Sequence, residues 1–141
     1  MIPYMKQVGK SEDINFSYGG TIGNTFDSHR LIWKAREEGG AALQDRMVES
    51  LFKAYFEEEK SLGDTKVLKE CAKRAGMSMD IAEALLANDN MGGAEVKQEM
   101  HEGRSKWKCQ GVPLFVIDNK FKLTGAQPPE EFLSIFQRLD N

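Results

Sequence analysis

The run KWKCQGVPLFVIDNKFKLTGAQPPEEF, from Lys106 to Phe132, carries one cysteine, Cys109, four residues ahead of a Val112-Pro113 step. A thiol there can serve as a nucleophile or as one half of a mixed disulfide, and Lys106 and Lys108 set cations beside it that favour the thiolate. No resolving cysteine or defined base accompanies Cys109, so an incidental loop thiol is the competing reading. Cys71, the other of the two cysteines, falls on an apolar helical stripe and reads as a core side chain. Two cysteines in unlike surroundings make neither a disulfide framework nor a metal cluster. A second group of polar residues lies in GNTFDSHRLIWKA, Gly23 to Ala35. There Asn24 and Thr25 read first as helix caps and second as polar ligand contacts. His29, one helical turn past Thr25, either touches a ligand or hydrogen-bonds the loop backbone. His101, between Met100 and Glu102, reads as surface, and Trp33 and Trp107 as core rather than cleft.

These residues need elements to position them. Ile14-Asn15-Phe16-Ser17-Tyr18 alternates apolar and polar ahead of Gly19-Gly20, the pattern of a short strand. From Thr25 to Lys108 the period is helical. A first segment carries Phe26, Leu31, Ile32 and Ala35 and stops at Gly39-Gly40. A second spaces Leu43, Met47, Leu51, Ala54 and Tyr55 by threes and fours, with Gly63 as its stop and Glu57–Lys60 as a solvated end. Asp64 caps a third with Val67, Leu68, Cys71, Ala72 and Ala75 on one stripe, closed by Gly76. Ser78 caps a short fourth, and a fifth runs from about Ala94 to Trp107. The period then changes. Leu114–Ile117 reads as a strand, Asp118-Asn119 as a tight turn tolerant of positive φ, and Phe121–Thr124 as the return strand. Pro129 opens a last helix with Phe132, Ile135, Phe136 and Leu139 on its apolar stripe.

The order loop, Val-Pro, strand, hairpin, strand, helix resembles the carboxyl half of a thioredoxin fold. That resemblance implies a cis bond at Val112-Pro113, facing the active site, so that Val112 offers its N–H and C=O to an extended thiol peptide. A trans proline that merely starts a strand is the plainer alternative. Together, GNTFDSHRLIWKA and GVPLFVIDNKFKLTGAQPPEEF, the latter spanning Gly111–Phe132, resemble the two signature segments of the DsbA-like thioredoxin-fold family. The nearest branch is the one grouped with 2-hydroxychromene-2-carboxylate isomerases and kappa-class glutathione transferases. The resemblance implies an α/β, truncated thioredoxin-like fold with an all-helical insertion between the N-terminal strand and the C-terminal hairpin and helix. Residues 1–24 and 108–141 would form the core part of one domain and 25–107 the insertion.

In that family the first strand leads into a helix bearing Cys-x-x-Cys, or a serine in glutathione-dependent members. This chain holds no Cys-x-x-Cys, and Tyr4–Gly9 resembles the tail of that helix. Three accounts stay open: a fragment of a longer oxidoreductase, a shortened gene, or a member that keeps a pocket without redox chemistry. The expected function is a DsbA-family thiol–disulfide oxidoreductase-like protein without dithiol activity in this chain. Glutathione-dependent or cofactor-free isomerase or transferase chemistry on a small organic substrate is the alternative, and a non-catalytic binding module the second alternative. The pocket residues implied are Val112, Pro113, Asn24, Thr25 and His29, with Cys109 as the catalytic candidate. No cofactor is required, though glutathione is an admissible one, and the partner is a small-molecule or thiol substrate.

Composition narrows the partners further. A formal charge of −3, with both signs interspersed, supplies no basic field to gather phosphates, which argues against nucleic acid. The apolar runs fall short of a membrane span and the first residues lack the regions of a signal peptide, so the expected location is cytoplasmic. In the thioredoxin core the missing first strand would lie between Ile14–Tyr18 and Leu114–Ile117. Its absence leaves unpaired edges, to be repaired by direct closure or, as expected here, by a homodimer.

Overall fold

The computed structural model describes residues 1–139; the last two positions of the expected core part lie outside the described residues. The chain falls into two compact units, Met1–Val96 and Lys97–Asn141.

The first unit is helical. Helix α1 spans Ile2–Ser11, α2 Phe26–Phe56, α3 Thr65–Ala75 and α4 Met79–Ala87, and α5, Gly93–Ser105, begins within it. Gly39 and Gly40 interrupt α2 with non-helical backbone, Gly40 at φ 66° and ψ −160°, a region open essentially to glycine alone. A straight helix of that length would extend about 45 Å. The glycine pair instead doubles α2 back on itself, so that Gln44 Nε2 donates to Ile32 O at 3.2 Å. The reversal buries Leu31 and Ala35 from the first half with Leu43, Met47, Leu51 and Ala54 from the second, and Leu68, Cys71, Ala72, Ala82 and Leu85 from α3 and α4 complete that core. Asp64 caps α3 by accepting the Lys66 N–H at 2.8 Å, and Gly76 ends it at φ 89°. The stripes expected from sequence on α2, α3 and α4 thus share one core.

The expected strand Ile14–Tyr18 does not form. The segment has no regular secondary structure and belongs to no sheet, and its donors are taken elsewhere. Ile14 N donates to Gly9 O at 2.8 Å and Ser17 N to Phe56 O at 2.8 Å. Asn15 N donates to Glu57 Oε1 at 2.9 Å, and Gly19 N to Glu59 Oε1 at 3.0 Å. The carbonyl and carboxylates at the end of α2 do for this segment what a neighbouring strand would have done.

In the second unit α5 ends at Ser105, and strands β1, Leu114–Ile117, and β2, Phe121–Thr124, pair antiparallel before α6, Pro129–Leu139. Leu114 stands opposite Thr124 and Ile117 opposite Phe121. Asp118 and Asn119 take φ 53° and 52° in the connection of three residues, Asp118 to Lys120, and Lys120 N donates to Ile117 O at 3.1 Å across the turn. Of the stripe expected on α6, Ile135 is buried whereas Phe136 and Leu139 are exposed, and Phe132 meets Phe115 edge-on with ring centroids 4.9 Å apart. No helix among the described residues is long and apolar enough to cross a membrane.

Candidate functional site

The loop between α5 and β1 carries Cys109, Val112 and Pro113. Its amino end is pinned: Cys109 N donates to Gly103 O at 2.9 Å, and Lys122 Nζ to Trp107 O at 3.0 Å. Lys108 takes φ 55°, which turns the chain out of the helix. Cys109 is half-buried, and its Sγ donates to Gly111 O at 3.3 Å. The carboxyl end is fixed by Gly125 N, which donates to Pro113 O at 2.8 Å and extends the hairpin. Between these anchors Val112 is 86% exposed, and the Val112-Pro113 peptide is cis. Among the described residues neither backbone polar group of Val112 is engaged by the fold.

Asn24, Thr25 and His29 stand at the start of α2 in the first unit. The cap comes from Asn24, whose Oδ1 accepts the Phe26 N–H at 2.9 Å. Thr25 occupies the N-cap position without a side-chain cap bond, and its carbonyl accepts from Ser28 Oγ at 2.6 Å. Thr25, Ser28 and His29 edge a hollow of about 180 Å³ whose apolar wall is built by Ile32, Leu51 and Tyr55. The structure therefore groups the expected residues as two sets, Cys109 with Val112 and Pro113, and Asn24 with Thr25 and His29.

Two residues that sequence reasoning did not single out organise the first unit. Arg30 is fully buried: its Nε donates to Met91 O at 2.8 Å, and Nη2 to Leu85 O at 2.7 Å and to Asn88 O. Its Nη1 pairs with Asp27 at 2.9 Å. The only sequence signal was the Asp27/Arg30 spacing, which also fits an exposed helical pair. Glu59 is the second. Its Oε1 accepts from the Ser17 hydroxyl as well as from Gly19 N, and a Cβ on Gly20 would lie 2.9 Å from its backbone. The solvated helix end expected at Glu57–Lys60 does stay open to solvent, but Glu57 and Glu59 also hold the Asn15–Gly19 segment. Glu58 pairs with Arg74 at 3.0 Å, and Lys60 with Glu70 at 3.0 Å.

The Ser17 hydroxyl, then the Gly19 N–H, hold the Glu59 carboxyl below the ordinary glutamate range. A depressed folded-state pKa stabilises above the unfolded-state value, and that contribution is lost as pH falls through the folded value. On acidification below the usual glutamate range, the Gly19 amide is therefore expected to lose hydrogen-exchange protection. Glu59→Gln should leave it weakly protected at every pH. An unchanged acid transition in that variant would show that another group governs the segment.

The family described as the DSBA-like thioredoxin domain matches residues 1–137. Comparison with curated proteins finds no match. Among solved structures, the crystal structure of a probable DsbA oxidoreductase from Streptomyces coelicolor is similar over 96% of this chain, with a TM-score of 0.82 and 29% sequence identity. This chain spans 57% of that protein's length.

Proposed function

The chain belongs to the family of DSBA-like thioredoxin domains, and from that premise we propose that the Cys109–Pro113 loop is a docking edge for an extended thiol or disulfide peptide, without dithiol turnover in this chain. The observation that carries this reading is Val112, exposed between two pinned ends with its N–H and C=O unengaged among the described residues. An incoming extended segment could take both groups as a strand edge would. Three residues away, the Cys109 thiolate can attack one sulfur of a bound disulfide. The Sγ–S bond forms as the substrate S–S bond breaks, and the second substrate sulfur leaves as a thiolate. Completing a cycle needs a second thiol. Cys71 does not suit that role, because burial pushes its thiol up and its Sγ points to Ser50 O at 3.8 Å inside the helical core.

The expected result is little or no catalysis of insulin reduction, together with a single mixed disulfide per chain on exposure to glutathione disulfide, read by intact mass and absent in Cys109→Ser. Robust insulin turnover that survives Cys109→Ser would overturn the reading.

The hollow edged by Thr25, Ser28 and His29 favours a second reading, glutathione-dependent or cofactor-free isomerase or transferase chemistry on a small organic substrate. Retention on glutathione resin, lost in His29→Ala, would support it.

A further inference from the structure

A groove of about 630 Å³ in the first unit lies between α1, the Asn15–Gly19 segment and the second half of α2. Four aromatic rings stand in it. Phe16 lies 6.0 Å from Tyr18 and 5.9 Å from Phe56, and Phe52 lies 5.7 Å from Phe56, centroid to centroid. These rings do not close into a core: Phe52 is 56% exposed and Tyr18 46%. The floor is held in advance of any ligand, since Asn15 and Gly19 are tied to Glu57 and Glu59. The charged groups in the lining are Asp13, Glu49 and Glu57 against one cation, Lys53, so the groove carries net negative charge.

Aromatic faces present negative quadrupole charge, and a cation set among several of them gains from each. Carboxylates at the rim reinforce that preference and disfavour anions of the same shape. From the aromatic walls, the acidic rim and the volume together, we infer that this groove binds an organic cation, a planar aromatic or methylated ammonium compound of small-molecule size. Neither cysteine lines the groove, so binding there is independent of the Cys109 thiol.

Thioflavin T, a planar aromatic cation, and 1-anilinonaphthalene-8-sulfonate, an anion of comparable size, are the probes, titrated calorimetrically against the whole chain. Saturable one-to-one binding of the cation is expected, at least about tenfold tighter than the anion, as an opposed rim charge and ring contacts predict. Phe52→Ala should weaken it about tenfold, Glu49→Gln about threefold with a shallower salt dependence, and Lys53→Gln should strengthen it. Both Phe52 and Glu49 are exposed, and circular dichroism will show these variants folded. Absence of saturable thioflavin T binding, equal or tighter binding of the anion, or indifference to Phe52→Ala or Glu49→Gln would each overturn the proposal.

Discussion

Arg30→Met is expected to destabilise the chain by on the order of 3 kcal/mol, measured as a shift of the urea midpoint at unchanged slope. The side chain is fully buried, and its fork donates to the carbonyls of Leu85, Asn88 and Met91. A methionine fills much of the volume but removes the charged donor; Leu85 O and Asn88 O keep their bonds from Asn88 N and Met91 N, so the cost is that of the lost guanidinium bonds, about 1.5–3 kcal/mol for a hydrogen bond to a charged group. The Asp27 pair adds little, because that carboxylate is 48% exposed and screened. Arg30→Lys should fall between parent and Arg30→Met, since a single ammonium cannot reach three carbonyls as a planar fork does. A methionine variant within about 1 kcal/mol of the parent would show that water replaces the guanidinium at these carbonyls.

Leu68→Ala should lower stability by about 2–5 kcal/mol, the sum of lost transfer energy and a cavity the surroundings cannot fully close. Leu68 has no exposed surface and sits in the core shared by α2, α3 and α4. The same urea titration on Val112→Ala supplies the contrast. Val112 is 86% exposed, so its loss should change stability by no more than about 0.5 kcal/mol. A Leu68→Ala variant as stable as Val112→Ala would mean that the helices repack around the missing side chain.

Leu68 was legible from sequence because its place on the stripe with Cys71, Ala72 and Ala75 is a local property of α3. The β1–β2 hairpin was legible for the same reason, since Asp118-Asn119 and the apolar runs beside it specify the turn and register within a dozen residues. Ile14–Tyr18 was misread because alternation records only that two faces differ. It does not record what accepts the backbone hydrogen bonds, and here the acceptors lie at Phe56, Glu57 and Glu59. The aromatic groove escaped notice for the same reason, with Phe16 and Tyr18 read as part of a strand and Phe52 and Phe56 on a distant helix. Arg30 was hidden differently. A charged residue three positions from an acid suggests water, and only the fold brings three carbonyls to its fork.

The reversal of α2 at Gly39-Gly40 bears on the order in which the molecule assembles. The bonds from Asn15 and Gly19 to Glu57 and Glu59 bridge 42 and 40 positions, whereas the Asp118-Asn119 turn joins strands adjacent in sequence. Closing a loop of that length costs about 2 kcal/mol more in chain entropy than closing a four-residue hairpin. Until the glycine pair has folded the two halves of α2 together, nothing offsets that cost, and the segment has no acceptors to meet. Its docking is accordingly expected to follow the rate-limiting barrier. A lesion at Glu59 should then shorten the lifetime of the native state by speeding unfolding while leaving the folding rate nearly unchanged.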